Sequence, residues 1–222
     1  MSTQSSIAID GPVASGKTSV GKCVAERLGY RFLDTGIMYR AVTLVAIEQG
    51  TDLEDEDSLT ALAESLDMRL VADAGGDRLM VNGSDVTGHL RDAKVERGVS
   101  LVASVSGVRS ALVRQQRAIA EEGLIVMVGR DIGTVVLPDA SVKVYLEASP
   151  PVRARRRYSE MESSGRAPDY QQLERDVVRR DDIDSRRADS PMRPAQDAVR
   201  IETDDLSVEE VANAILEVAG LR

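Results

Sequence analysis

The chain has 222 residues, 42% of them apolar, with a formal net charge of −9. That length suits one large domain with a substantial core, and the acidic balance argues against non-specific binding to nucleic acid or anionic membrane. The 3% aromatic content excludes a base-stacking platform, and a lone Cys23 excludes an internal disulfide framework.

MSTQSSIAIDG lacks the basic and long apolar stretches of a secretion signal. No apolar run reaches the length of a membrane span, so a cytoplasmic protein is expected. A short strand at 7–10 ends at Gly11, and a helix follows from Gly16 to Leu28, its apolar residues Val20, Val24 and Leu28 four apart. Between them GPVASGKT fits the pattern G-x-x-x-x-G-K-[ST], after a buried strand and before an amphipathic helix. In such a loop the glycines let backbone N–H groups turn onto phosphate oxygens, and the helix N-terminus adds partial positive charge. Gly11, Pro12, Val13, Ala14, Ser15, Gly16, Lys17, Thr18 and Ser19 are therefore the expected triphosphate-binding segment. Lys17 would reach the β- and γ-phosphates and Thr18 would hold Mg²⁺. The loop predicts a bound nucleoside triphosphate without saying what is done with it.

A strand at 31–33 and helices at 36–49 and 59–66 come next. FLDTGIMYR places Thr35, Tyr39 and Arg40 on neighbouring helical turns. Residues 68–88 change character: two strand-like runs around Gly75–Gly76 and an Asn82-Gly83 turn predict a small antiparallel insert. A helical pattern over roughly 92–122 carries Ser100, Arg109, Gln116 and Arg117. The apolar runs 124–128 and 142–146 read as strands buried on both faces. The first runs into Gly129, Arg130 and Asp131, placing the charged pair beyond a strand's carboxyl end, where open α/β sheets bind ligands. Helices at 150–164 and 169–187 flank a Gly-, Pro- and Ser-containing loop. Arg153, Arg156 and Arg157 share a face of the first, as suits a lid closing over transferring phosphates. A last strand at 198–201 precedes a terminal helix opened by the capping box Ser207-Val-Glu-Glu210. Strands alternating with helices predict a doubly wound α/β sheet.

The end of the 169–187 helix reads RRDDIDSRR. Stepping 100° per residue from Leu173 places Tyr170, Val177, Arg180, Asp184 and Arg187 all within about 60° of it. An apolar stripe thus continues into Arg180, Asp184 and Arg187, which predicts an inward-facing polar pocket. Arg179, Asp181, Asp182 and Arg186 fall off that stripe and are expected in solvent.

IDGPVASGKT, FLDTGIMYR, GRDIGTVVLPDA, the arginines of 153–157 and RDDIDSRR, in that order, resemble the bacterial cytidylate kinase family of P-loop phosphotransferases over nearly the whole length. The resemblance implies a P-loop NTPase-type doubly wound parallel sheet with helices on both faces, a small antiparallel β insert lobe on the monophosphate side and a helical lid. It divides a single kinase domain into a core (about 1–34, 92–148 and 188–222), a monophosphate-binding region with the insert (about 35–91) and a lid (about 150–170). By position, Arg40 and Arg130 resemble residues holding the CMP phosphate, and Thr35 and Tyr39 line the same site. Ser100, Arg109 and Asp131 resemble those reading the cytosine edge. Arg180, Asp184 and Arg187 correspond to ribose and phosphate contacts. Arg153 and Arg157 resemble lid arginines, so Lys17, Arg130, Arg153, Arg157 and Arg187 are the expected catalytic set. The implied reaction is ATP-dependent phosphorylation of CMP and dCMP with Mg²⁺, by a monomer with no nucleic-acid or membrane partner. The family often has Ile-Asp-Thr where this chain has Ile201, Glu202 and Thr203, which leaves the adenine contacts open. Another P-loop kinase, UMP-preferring or acting on a different small molecule, and a nucleotide-gated binding protein are the alternatives. The second arginine-rich half-site speaks against the last.

Overall fold

The computed structural model describes residues 6–71 and 78–220. Five parallel strands form the central sheet in the order β2-β6-β1-β7-β8. They are β1 (Ser6–Asp10), β2 (Arg31–Asp34), β6 (Ile125–Gly129), β7 (Val142–Glu147) and β8 (Val199–Glu202). The pleat sends alternate residues to opposite faces, and each face is covered by its own helices. Ala8, Leu33, Ile125 and Met127 join one core with α2 (Gly36–Gln49), α3 (Glu56–Ser65), α4 (Ala93–Val102) and α5 (Ser106–Glu121). Ile7, Ile9, Val126, Val128, Val144 and Leu146 join the other with α1 (Lys17–Leu28) and α8 (Val208–Val218). This is the doubly wound sheet expected.

The small insert is an antiparallel sheet, β3 (Met68–Val71), β4 (Arg78–Val81) and a short third strand, β5 (Ser84–Asp85), reached through the predicted Asn82-Gly83 turn. Gly75 and Gly76, about which the insert was expected to turn, lie outside the described residues. The helical stretch at 92–122 is two helices rather than one. Its break at Ala103–Val105 frees the Ala103 carbonyl, which accepts from Arg109 Nη1 at 3.2 Å and Arg187 Nη1 at 3.5 Å. The helix predicted from Leu59 starts earlier, because Asp55 caps it by accepting from Ser58 N. Helices α6 (Pro150–Ser163) and α7 (Tyr170–Arg186) form an antiparallel pair, and α8 begins with the predicted capping box.

Candidate active site

The carboxyl ends of all five central strands open into one cleft of about 1320 Å³. Residues 11–18 leave β1, Thr35 leaves β2, Arg130 leaves β6, α6 follows β7 and Thr203 follows β8. The loop after β1 has the backbone its motif requires. Gly11 (φ 149°) passes so close to β7 that a Cβ would stand 2.3 Å from the Leu146 carbonyl oxygen, and Gly16 caps α1 at φ 96°. Ala14 adopts φ 59°, a conformation costly for a residue with a Cβ. Lys17 folds back on this loop, donating to Pro12 O at 2.6 Å and Ser15 Oγ at 3.3 Å. Burial, with Arg130 nearby, pushes its pKa well below the ordinary lysine value. Among the described residues, an ammonium held here has no anionic partner in contact, which is the condition a phosphate corrects.

Thr18 donates to Asp34 Oδ2 at 2.7 Å. The hydroxyl and carboxylate are hard oxygen ligands of the kind Mg²⁺ takes when phosphates complete its shell. Behind them, Asp10 accepts from the backbone N–H groups of Ile132 and Gly133, both at 2.8 Å. Those bonds hold a π-helical turn, Ile132–Val136, which aims Arg130 and Asp131 from the end of β6. Burial raises the Asp10 pKa to about 6, against the pull of the two N–H donors.

Carboxylates hold most of the arginines singled out from the sequence. Arg130 Nε donates to Asp184 Oδ2 at 2.8 Å. Arg40 Nη1 donates to Glu96 Oε1 at 3.0 Å, and Arg157 Nη2 to Glu96 Oε2 at 2.5 Å. Arg180 Nη2 reaches the backbone carbonyl of Glu96 at 2.7 Å. Arg40, Arg130, Arg157 and Arg180 line the cleft together with the phosphate loop and Asp34.

A second group lies behind this lining. Arg109 and Asp131, 3% and 5% exposed, pair at 2.5 Å, and the Arg109 guanidinium stands 5.3 Å over the Tyr39 ring. Burial pushes the Tyr39 hydroxyl up to about 12, so it stays protonated. Arg109 Nε, Gln116 Nε2 and Arg187 Nε are buried donors with no partner among the described residues. Orphaned donors of this kind are costly unless a ligand or water meets them. Ser100 is half-buried on α4, and Thr35 is buried, its hydroxyl on Val128 O at 3.0 Å.

The α7 stripe is as the angles predict. Val177 is buried, and the side chains of Asp184 and Arg187 are 14% and 5% exposed while that of Arg186 is 80% exposed. Asp181 departs from expectation. Instead of facing solvent, it receives both terminal nitrogens of Arg153. Arg153 also donates to Ala148 O and Val13 O, so this arginine fastens α6 to α7 and the phosphate loop and is not aimed into the cleft. Arg156 turns toward the cleft instead. It bonds Thr203 through side chain and backbone and stands over Gly16. With Thr203, Leu206, Ser207 and Val208 it lines the end of the cleft beside the phosphate loop.

Glu96 and Asp10 were not singled out from the sequence. Asp10 could have been, since it ends the strand that runs into the phosphate loop. Glu96 gave no local signal, whereas Asp34 and Arg156 stood in clusters the sequence marked without a role of their own.

A sequence model of the family described as cytidylate kinase matches residues 7–220. A cytidylate kinase of Bacillus velezensis is 47% identical over 218 residues, covering 98% of this chain and 97% of that protein. One from Geobacillus kaustophilus is 48% identical over 222 residues, covering 100% and 99%. Among solved structures, a shikimate kinase from Bacteroides thetaiotaomicron overlays with a TM-score of 0.50 at 16% identity, covering 99% of this chain and all of the other, a likeness of fold alone. The motifs, the sheet order and near-full-length identity close to one half agree, and the chain belongs to the cytidylate kinase family.

Proposed function

We propose that the protein transfers the γ-phosphoryl group of ATP to the phosphate of CMP or dCMP, giving ADP and CDP or dCDP. The observation that carries this is one cleft in which a phosphate loop with its lysine faces a second set of arginines, Arg40, Arg130, Arg157 and Arg180. A nucleotide switch needs only the first. In the transfer, the bond from the γ-phosphorus to the β-bridging oxygen breaks and a bond to an acceptor phosphate oxygen forms. That acceptor is already ionised near neutral pH, its second pKa being about 6, so no general base is required. The one histidine, His89, stands out of the cleft lining, beside Asp92. What the chain supplies is alignment and charge neutralisation. Lys17 and the loop N–H groups bind the donor phosphates, and Arg40 and Arg130 bind the acceptor phosphate. Arg157 balances charge on the group in transit.

Thr18 and Asp34 would hold Mg²⁺, which when bound neutralises phosphate charge. Arg109 and Asp131 offer a donor and an acceptor that suit the N3, O2 and N4 pattern of cytosine, and Tyr39 and Ser100 border them. Arg180, Asp184 and Arg187 take the ribose and acceptor phosphate. Arg156, Thr203 and Leu206 offer a flat guanidinium and apolar surface to the donor base. The segment at about 150–170, helix α6 and the loop after it, acts as the lid, and closure excludes water. Both half-sites come from one chain, which suits a monomeric cytoplasmic enzyme. No helix among the described residues is long and apolar enough to cross a membrane. A coupled ADP-release assay across CMP, dCMP, UMP and AMP tests the reading. Turnover with CMP and dCMP well above UMP and AMP is expected; ATP hydrolysis indifferent to every acceptor would overturn it.

A further inference from the structure

Glu96 has no part in the assignments above, yet three of the cleft arginines meet on it. It lies on α4, half-buried, at a site where Arg40 comes from α2, Arg157 from α6 and Arg180 from α7. Each carboxylate oxygen serves a different side of the cleft, Oε1 taking Arg40 and Oε2 taking Arg157. Burial opposes the charge, but Arg40, Arg157 and Arg180 outweigh it and hold the carboxyl below the ordinary glutamate pKa. Glu96 therefore stays ionised throughout the neutral range. The bond to Arg40 occupies one terminal nitrogen. Nε and Nη2 make no hydrogen bond to any described residue, so the guanidinium can take a phosphate while still held by Glu96. Arg157 is braced from its other terminal nitrogen by Glu160 at 2.7 Å, and Glu160 in turn receives Arg91 from the segment after the insert.

We propose that Glu96 is a positioning residue for phosphoryl transfer: its carboxylate ties Arg157 to Arg40, so that an acceptor phosphate engaging Arg40 also sets where Arg157 stands. This rests on the assignment of Arg40 to the acceptor and Arg157 to the transferring group. Two oxygens of one rigid carboxylate fix the two guanidinium groups relative to each other, and misplacement of such groups by an ångström is enough to cost up to about a hundredfold in rate.

The test is a double-mutant cycle with Glu96→Gln and Arg157→Ala, read in the ADP-release assay with ATP and CMP. Glu96→Gln should lower kcat about tenfold, with the KM for ATP and the melting temperature nearly unchanged. In the Arg157→Ala background the same change should cost less than about twofold, because its route is already gone. Losses that multiply would overturn the role, as would a fall in the KM for CMP at unchanged kcat, the mark of a carboxylate that merely competes with phosphate. Binding of a non-hydrolysable ATP analogue gives a second readout. CMP should tighten it in the parent protein and lose that effect in Glu96→Gln; retained tightening speaks against the proposal. Where Glu96→Gln does not fold, Glu96→Asp, shorter by one methylene, carries the same cycle with the same expectations. An unmutated protein that makes no CDP would overturn the kinase reading itself, whereas an active one with multiplying losses overturns only the role of Glu96.

Discussion

Asp131→Asn separates substrate reading from stability at the buried pair. The change keeps the side chain's shape and removes its charge, leaving the Arg109 guanidinium, 3% exposed, with the Ala103 carbonyl at 3.2 Å and the Tyr39 face at 5.3 Å. Arg109 Nε has no partner among the described residues to begin with. Deleting the carboxylate outright would strand a buried cation at a cost of about 3–5 kcal/mol. The amide oxygen keeps one neutral acceptor in place, so the loss should be nearer about 2 kcal/mol, a hydrogen bond to a charged group made into a weaker one. Against a total of about 5–15 kcal/mol the protein still folds. The effect on substrate has a different sign for different bases. Cytosine presents an N4 donor where uracil presents an O4 acceptor, and the asparagine amide can satisfy either. The kcat/KM for CMP should fall by about five- to 150-fold, corresponding to about 1–3 kcal/mol, while UMP should fall less or rise. Steady-state kinetics on CMP and UMP, with thermal melts of the same samples, read both effects. An unchanged CMP/UMP ratio would falsify base reading by Asp131, and an unchanged melt would refute the account of the ion pair.

Three further outcomes follow from the geometry. Lys17→Met should reduce turnover by about 10³-fold yet leave the nucleotide-free melting temperature unchanged or higher, because burial disfavours the ammonium it removes. A lower melting temperature would mean that the bonds to Pro12 and Ser15 stabilise the fold. Gly11→Ala puts a Cβ 2.3 Å from the Leu146 carbonyl oxygen at a φ of 149°, and should abolish ATP binding and lower stability, read by nucleotide titration and melting. Asp10 has a folded pKa raised from 3.8 to about 6, so the folded state binds the extra proton. Its contribution is fully present below about pH 4 and is lost as pH rises through 6. The stability of the parent protein relative to Asp10→Asn should therefore decline from pH 4 to pH 7, by up to about 3 kcal/mol; a difference that stays flat or rises would contradict the burial argument.

What could be read from the sequence is what local chemistry dictates. The phosphate loop is legible because a left-handed turn needs Gly16, close passage beneath Leu146 needs Gly11, and a phosphate needs Lys17 at a helix start. The α7 stripe is legible because helical periodicity does not depend on neighbours, and so Arg180, Asp184 and Arg187 could be turned inward before any partner was known. The break at Ala103–Val105 was not legible. No glycine or proline marks it, and its compensation comes from two side chains, the nearby Arg109 and the distant Arg187, which use the freed carbonyl.

The choice of partner by each arginine was out of reach for the same reason. Arg153, Arg156 and Arg157 share a face by spacing, yet the first binds Asp181 and Val13, the second Thr203 and the third Glu96. Arg156 and Arg157 are turned from Arg153 by only about 60° and 40°, to opposite sides. A guanidinium on a long flexible stem converts that small difference into a wholly different destination, set by whichever carboxylate or carbonyl the tertiary packing presents. Periodicity can therefore assign arginines to a cleft but cannot divide them between holding its walls and meeting its ligands. Counting the acidic partners does divide them. Arg153 has all three nitrogens on protein acceptors and is spent on structure. Arg40 has two nitrogens with no hydrogen bond to any described residue, and Arg180 rests on a backbone carbonyl with its pKa lowered by burial and by the arginines around it despite Glu96. In the proposed reaction, the guanidinium groups with nitrogens left over are the ones that take the acceptor phosphate.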